Sequence, residues 1–339
     1  MMLRTWVPRW WAGQGGAAGT VLDVVLIPAE TAFRGVAALR NGAYDRAVLR
    51  AQRAPVPVVS VGNLAVGGAG KTPVSAWVAG RLLGWGRRPA IALRGYGEDE
   101  VRVHGELNPQ VPVFAAARRI EAARAAAEAG CDVVVLDDGF QHRALARDLD
   151  VVLIAVEGWR ARPRVLPRGP WREGPTALGR ADVVVLTRKS APRQRAEEVA
   201  REVAPWMEGK PVVSCHLAPG RLAPLREGDE MDPRMLADRE VLAVAALADP
   251  APFVAHLRGW GARVEEALFG DHHAFSAREA EALAARAGER VVVMTRKDAV
   301  KLRDLYPARA YVLEQTVRFD WGEEALDAAL RRAIERKPA

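Results

Sequence analysis

Residues 65–72 form a glycine-rich run that ends in a lysine and a threonine, and these residue types together can bind the phosphates of a nucleotide. Glycines let the backbone approach an anion closely, and the N–H groups of the loop and of the helix after it point at the anion. Lys71 is expected to reach the β- and γ-phosphates, and the Thr72 hydroxyl is expected to coordinate Mg²⁺. The predicted nucleotide contacts are Ala65, Val66, Gly67, Gly68, Ala69, Gly70, Lys71 and Thr72.

Position 65 departs from the usual phosphate-loop motif, which has glycine where this chain has Ala65. The flanking residues fit the motif. A β-branched run at 57–61 precedes the loop, and a periodic apolar segment at 72–84 follows it. Strand, glycine loop and helix in this order favour a nucleoside triphosphate site over a glycine-rich turn that happens to precede a lysine.

A second candidate for chemistry is the acidic block at 137–142, Asp-Asp-Gly-Phe-Gln-His, which follows an apolar run. Two adjacent aspartates at the end of a buried strand are costly without a cation or hydrogen-bond donors. A carboxylate beside a phosphate loop is suited to orienting Mg²⁺, so Asp137 and Asp138 are predicted metal-side residues. The alternative is a solvated Asp-Asp-Gly turn.

The elements that must position these residues alternate between strand-like and helical patterns, which predicts parallel sheets covered by helices. The runs 132–137 and 181–186 are almost continuously apolar, as central parallel strands are. We therefore predict an α/β fold, a P-loop NTPase-like parallel sheet domain followed by a second, smaller α/β domain. The predicted divisions are an N-terminal helical segment at 1–50, a phosphate-loop domain at 51–208 and a C-terminal α/β domain with a closing helix at 209–339.

Composition indicates which partners the protein binds and in which compartment it is found. The formal charge of +7 favours anionic partners, but no basic-aromatic module or recognition helix indicates nucleic acid. The two cysteines, Cys131 and Cys215, cannot form a disulfide framework, which fits a reducing cytosol.

The N-terminal segment combines tryptophans and arginines with a dense apolar run at 21–39. This composition is typical of a helix that lies in a membrane interface, and it is equally compatible with a helix packed into a core. No apolar stretch is long enough to predict a transmembrane helix.

Three further polar loops follow predicted strands or lie between elements. Arg94 is suited to a substrate phosphate, and Asp99 to accepting a proton from an attacking hydroxyl. Arg168 and Arg172 lie on a proline-flanked loop that suits an anionic substrate, and His272 lies in an Asp-His-His turn. Taken singly, each of these loops is also explained as an ordinary polar surface turn.

The order of these motifs, together with Arg94-Gly95-Tyr96-Gly97 and the Thr-Arg-Lys-Asp run at 295–298, resembles the tetraacyldisaccharide 4′-kinases, the lipid A 4′-kinase family. The resemblance extends from the N-terminal helix to about residue 305, and the acidic block and the phosphate loop are its most specific parts. The phosphate loop of that family also lacks the first glycine, which accounts for Ala65.

The resemblance implies an ATP- and Mg²⁺-dependent kinase that phosphorylates the 4′-hydroxyl of tetraacyldisaccharide 1-phosphate to give lipid IVA. A lipid substrate favours the membrane interpretation of the N-terminal helix. It implies a peripheral protein on the cytoplasmic face of the bacterial inner membrane, with the membrane surface as a partner. We expect it to be monomeric and not to bind nucleic acid.

The resemblance also implies roles for individual residues. Lys71 is catalytic together with Asp99, the matched base, and His272, the matched partner of that base. The register is open among Glu98, Asp99 and Glu100, because the family motif Gly-Asp-Glu-Pro is altered here. The predicted substrate-side residues are Arg94, Arg119, Gln141, His142 and Arg168. Two charges depart from the family pattern: Arg118 replaces an aspartate, and Arg296 replaces a glutamate.

Two other functions remain open at this point. A P-loop switch protein or metallochaperone GTPase would also use the phosphate loop. However, the chain has no second lysine in 65–70 and no Asn-Lys-x-Asp guanine signature. A structural ATP-binding module on a membrane would need no base at Asp99.

Overall fold

The computed structural model describes residues 6–7, 9–95, 98–247, 249–271 and 273–335, with only the backbone of Glu98. The chain forms two compact units. The first unit contains Val7–Leu217 and Val317–Ala339, and the second contains mainly Ala218–Thr316.

Helices and parallel strands alternate through the first unit, as the sequence predicts. A short π-helical turn at Trp10–Gln14 comes first. The helices are α1 (Gly16–Val25), α2 (Ile27–Asp45), α3 (Lys71–Gly84), α4 (Glu98–Leu107), α5 (Arg119–Glu128), α6 (Arg193–Val203) and α10 (Glu323–Glu335). The strands are β1 (Val58–Asn63), β2 (Pro89–Leu93), β3 (Val113–Ala115), β4 (Val133–Asp137), β5 (Leu149–Ala155), β6 (Val183–Arg188) and the first part of β7 (Val212–Pro224).

The sheet of the first unit has the strand order β3-β2-β4-β1-β5-β6-β7. The pairs in this series are parallel, which confirms the predicted α/β class with parallel strands. Strand β1 lies between β4 and β5, and Val61 is in register with Asp137. The phosphate loop after β1 and the acidic block after β4 therefore leave the sheet at the same edge.

The closing helix α10 belongs to the first unit, whereas the sequence-based division placed it in the C-terminal domain. Its buried residues Leu326 and Leu330 join the core cluster that contains Val59 of β1 and Val78 of α3. Because these contacts join residues more than two hundred positions apart, the helical pattern of 323–335 predicts the element but not the surface on which it packs.

The second unit is a smaller α/β layer with the strand order β11-β10-β8-β9. Its strands are β8 (Glu240–Ala245), β9 (Arg263–Leu268), β10 (Val291–Thr295) and the first part of β11 (Tyr311–Trp321). Its helices are α7 (Ala251–Gly259), α8 (Ala277–Ala287) and α9 (Arg296–Leu302). Ser276 and Glu279 form a capping box at the start of α8, which satisfies N–H groups that the first helical turn leaves unpaired.

Helices α1 and α2 turn a charged face to the rest of the first unit and an apolar face to the outside. Glu30 of α2 is 5% exposed, whereas Val36 is 66% exposed and Leu39 is 77% exposed. Trp10 is buried, and its indole N–H donates to the Gly19 carbonyl. Within the described ranges, no helix has both the length and the apolar composition needed to span a bilayer.

Candidate active site

The phosphate loop connects the end of β1 to α3, which begins at Lys71. Gly67 and Gly70 have φ values of 117° and 81°, a region that glycine enters without steric cost. A Cβ on Gly70 would also clash with Leu217. The Thr187 hydroxyl at the end of β6 donates to the Ala69 carbonyl at 2.9 Å and anchors the loop to that strand.

The Lys71 ammonium lies between the phosphate loop and the acidic block. Its Nζ donates to Asn63 Oδ1 at 3.3 Å and lies 3.7 Å from Asp138 Oδ1. The amide of Asn63 in turn donates to the Ala65 carbonyl at 2.6 Å. The structure thus brings together the two motifs that the sequence placed at the ends of separate strands.

The two aspartates of the block have different surroundings. Asp138 has a φ of 53°, and its carboxylate accepts a hydrogen bond from Arg172 Nη1 at 2.9 Å. Asp137 is 7% exposed, and its Oδ2 lies 2.9 Å from His104 Nε2. Burial alone would raise the pKa of Asp137, but the hydrogen bond and charge of His104, the charge of Lys71 and the nearby Ser75 hydroxyl hold that pKa below its usual value.

The donor set fits Mg²⁺. Among the described residues, Asp137 Oδ1 is buried and has no hydrogen-bond partner, so a cation would satisfy it. Magnesium is commonly bound by one or two carboxylates together with substrate phosphates and water. A site with so few protein ligands agrees with the finding that no three acidic, histidine or cysteine side chains cluster as metal ligands in the described chain.

Arg119 is the buried cation of the predicted substrate side. It is 4% exposed, and its Nε and Nη1 have no hydrogen-bond partner within the described chain. Burial lowers the pKa of Arg119, as does the nearby Arg94 guanidinium, whereas Asp138 and Asp137 raise it. Arginine stays protonated under these conditions, so an unpaired guanidinium here is suited to an anionic group.

Gln141 lies beside the start of the phosphate loop because of a close approach between backbones, and His142 follows it. A Cβ on Gly62 would lie 2.6 Å from Phe140 Cβ, so glycine in β1 lets the acidic block pack there. Gln141 Nε2 donates to the Asn63 carbonyl at 2.8 Å. Burial, with the charges of Arg119 and other arginines, lowers the pKa of His142 to about 4, so its imidazole is neutral at pH 7.

Comparison with known proteins identifies the family of the chain. A sequence model of the tetraacyldisaccharide-1-P 4′-kinase family matches residues 22–109 and 105–335. The tetraacyldisaccharide 4′-kinase of Anaeromyxobacter sp. (strain K) is 43% identical, with 97% of each chain covered. The chain belongs to the tetraacyldisaccharide 4′-kinase family.

Other members are also similar over most of their length. The enzyme of that name from Alkalilimnicola ehrlichii is 37% identical, with 91% of this chain and 92% of the relative covered. The crystal structure of LpxK from Aquifex aeolicus in complex with ATP has a TM-score of 0.73 at 30% identity, with 92% of this chain and 99% of that chain covered. The predicted family and enzyme class are confirmed, and the GTPase alternative is not favoured.

The structure describes one residue of the predicted catalytic pair, Asp99, and not the other, His272. Asp99 lies in the first turn of α4 and is half-buried, next to Glu100. His272 lies outside the described residues, as does the side chain of Glu98. The assignment of Asp99 as base and His272 as its partner therefore stays a prediction.

Arg168 and Arg172 of the 163–173 loop face different partners. Arg168 Nη1 pairs with Glu30 of α2 at 2.7 Å, whereas Arg172 reaches both Asp138 and Gln141. The role of Arg168 in substrate binding stays a prediction, and the guanidinium that contacts the acidic block is that of Arg172.

Two further residues near the site were not among the predicted contacts. Lys189 follows β6, and a Cβ on Gly68 of the phosphate loop would lie 3.1 Å from its Nζ. His104 is fully buried against Asp137. The Thr-Arg-Lys run at 187–189, at the carboxyl end of a central strand, is a sequence signal for Lys189. No sequence signal points to His104, because its partner is 33 residues away.

Proposed function

We propose that this protein transfers the γ-phosphoryl group of ATP to the 4′-hydroxyl of tetraacyldisaccharide 1-phosphate, giving lipid IVA. Similarity to named kinases over nearly the whole chain supports this activity. The position of Lys71, between the phosphate loop and the acidic block, is the structural observation that supports it best.

The residues of the first unit divide the work of phosphoryl transfer. The loop N–H groups and Lys71 would bind the β- and γ-phosphates, and Thr72, Asp137 and Asp138 are the residues that would hold Mg²⁺. Magnesium supplies positive charge to the phosphoryl oxygens. Asp138 pairs with both Lys71 and Arg172 and holds these two cations next to the acidic block. Lys71 and Arg172 stabilise the charge that spreads over the transferred group.

The acceptor hydroxyl needs orientation and a proton acceptor, which we assign to Asp99 with His272 as its partner. Arg94, Arg119, Gln141, His142 and Arg168 are the residues that we assign to the lipid substrate. Arg119 is the strongest of these assignments, because a buried guanidinium with unpaired N–H groups is stabilised by an anion.

The apolar face of α1 and α2 is the surface that we assign to the membrane. It exposes Val21, Val24, Val36 and Leu39, and the opposite face reaches the acidic block, where Arg40 donates to the Gln141 carbonyl at 3.1 Å. A helix placed this way sits next to the predicted substrate-side residues while its apolar side chains enter the lipid. The protein would then act as a peripheral monomer on the cytoplasmic face of the inner membrane.

The activity is tested with purified protein, labelled ATP and tetraacyldisaccharide 1-phosphate in mixed micelles. Transfer of label to the lipid, with ATP preferred over GTP, is the expected result. Acceptor-independent hydrolysis of GTP would contradict the proposal.

The base is tested separately by comparing Asp99→Ala with Glu98→Ala, Glu100→Ala and His272→Ala. We expect the largest loss of kcat in Asp99→Ala, a smaller loss in His272→Ala and near-normal ATP affinity in both. A dominant loss at Glu98 or Glu100 would move the base to that residue.

A further inference from the structure

A histidine and an aspartate form a buried pair beneath the acidic block. His104 is 0% exposed, and its Nε2 lies 2.9 Å from Asp137 Oδ2. At this distance the two groups form a hydrogen bond, in which the imidazole Nε2–H donates and the carboxylate oxygen accepts. The bond lies inside the protein, where hydrogen bonds are strong.

The two oxygens of Asp137 have different surroundings. Oδ2 accepts from His104, whereas Oδ1 accepts no hydrogen bond of normal length from the described groups, although the Ser75 hydroxyl lies near the carboxylate. Since the imidazole fixes the rotamer of the carboxylate, it also fixes the direction in which Oδ1 points. In protein metal sites, a group that hydrogen-bonds a ligand in this way orients the ligand and strengthens its binding.

His104 also connects two parts of the site, because it lies on α4. The first turn of that helix carries Asp99 and Glu100, and the residue that follows its end is fixed to α3, where Asn108 Nδ2 donates to the Ala76 carbonyl at 2.8 Å. Helix α3 begins at Lys71. The His104–Asp137 bond thus joins the helix that carries the predicted base to the strand that carries the predicted metal ligand.

We propose that His104 is a positioning residue of the phosphoryl transfer. It holds Asp137 in the orientation that binds the metal, and it fixes the position of α4 relative to the end of β4. The inference rests on the proposed function, specifically on Asp137 as a ligand of Mg²⁺. It assigns to His104 no contact with ATP or with the lipid.

The test compares His104→Gln with His104→Leu. The glutamine amide nitrogen lies about where Nε2 lies and can donate to Asp137, whereas leucine fills a similar volume without a donor. Mn²⁺ affinity in the presence of a non-hydrolysable ATP analogue, followed by electron paramagnetic resonance, reports the metal site without turnover. We expect His104→Leu to weaken Mn²⁺ binding by about 10- to 100-fold and to lower kcat, with the KM for ATP changed by less than about threefold. We expect His104→Gln to stay close to the parent protein.

A double-mutant cycle separates this inference from the function on which it rests. We expect Asp137→Ala to weaken Mn²⁺ binding, and adding His104→Leu to that variant to cause no further loss. An unchanged Mn²⁺ affinity in Asp137→Ala would overturn the metal assignment and the inference with it. A loss in Asp137→Ala with normal affinity in His104→Leu would overturn the inference alone. If His104→Leu does not fold, His104→Asn replaces it, because its shorter amide does not reach Asp137. Equal Mn²⁺ affinity in His104→Asn and His104→Gln would refute the positioning role.

Discussion

Glu30→Gln tests whether one buried carboxylate holds helix α2 on the first unit. Glu30 Oε1 accepts from the Val165 N–H at 2.8 Å and from Arg34 Nη2 at 2.7 Å, and Oε2 accepts from Arg168 Nη1 at 2.7 Å. The helix that we assign to the membrane is therefore joined to the 163–173 loop through this carboxylate, in addition to Arg34, which donates to the Pro163 carbonyl at 2.9 Å, and Asn41, which donates to Glu173 Oε2 at 2.7 Å.

The magnitude of the change follows from which bonds glutamine can keep. Its amide oxygen can replace Oε1 and still accept from Val165 and Arg34, but its amide NH₂ would face the Arg168 donor. A hydrogen bond to a charged group contributes about 1.5–3 kcal/mol, and Arg168 is partly solvated, so we expect a loss of about 2 kcal/mol. The loss should be local, because these bonds hold α2 rather than the core of the sheet.

The assay is amide hydrogen exchange measured peptide by peptide, which gives the free energy of local opening for residues 27–45. Glu197→Gln is the matched control, since Glu197 pairs with Arg193 at 3.2 Å on the exposed face of α6, and such pairs contribute less than about 1 kcal/mol. Burial alone would raise the pKa of Glu30. However, the Val165 hydrogen bond and the two arginines lower it below 4.5. The stabilisation by Glu30 is therefore complete above pH 4.5 and is lost as the pH falls through the lower folded-state pKa. Unchanged exchange of residues 27–45 in Glu30→Gln would refute the reasoning.

Three further predictions concern catalysis and membrane binding. Lys71→Ala should fold normally and lose about 10³-fold or more in kcat, because the lysine neutralises the transferred phosphoryl group; near-normal turnover would contradict the kinase assignment. Lys189→Ala should raise the KM for ATP with little change in thermal stability, and an unchanged KM would show that Lys189 does not contribute to ATP binding. The double variant Val36→Gln, Leu39→Gln should weaken sedimentation with anionic liposomes, whereas Met235→Gln, at another exposed apolar site (53%), should not; equal binding by both variants would refute membrane docking through α2.

Membrane attachment shows how far composition can be interpreted without a structure. The tryptophans and the apolar run at 21–39 indicate either an interfacial helix or a core helix, because the same side chains suit both environments. The structure places Trp10 inside and leaves Val36 and Leu39 outside. Trp10 is therefore not exposed to a membrane in this structure, and the exposed aliphatic face is the surface to test.

What the sequence by itself determined is local in origin. The phosphate loop, the acidic block and the alternation of strand and helix depend on residue type and short-range spacing, and they were enough to predict the α/β class and a nucleotide site. The enzyme class and the family followed from the resemblance of these motifs, in their order, to the tetraacyldisaccharide 4′-kinases. Lys71 and the acidic block could be expected to meet because parallel strands end at one edge of a sheet.

Contacts between residues far apart in the chain were decided only by the tertiary structure. Helix α10 packs on the first unit, Arg172 contacts Asp138 while Arg168 contacts Glu30, and His104 is buried against Asp137. An amphipathic pattern shows that a helix has a buried face, and a charged side chain in a loop shows that it needs a partner. Neither identifies the partner, because that choice depends on how the chain brings distant surfaces together and on which pairings satisfy every buried polar group.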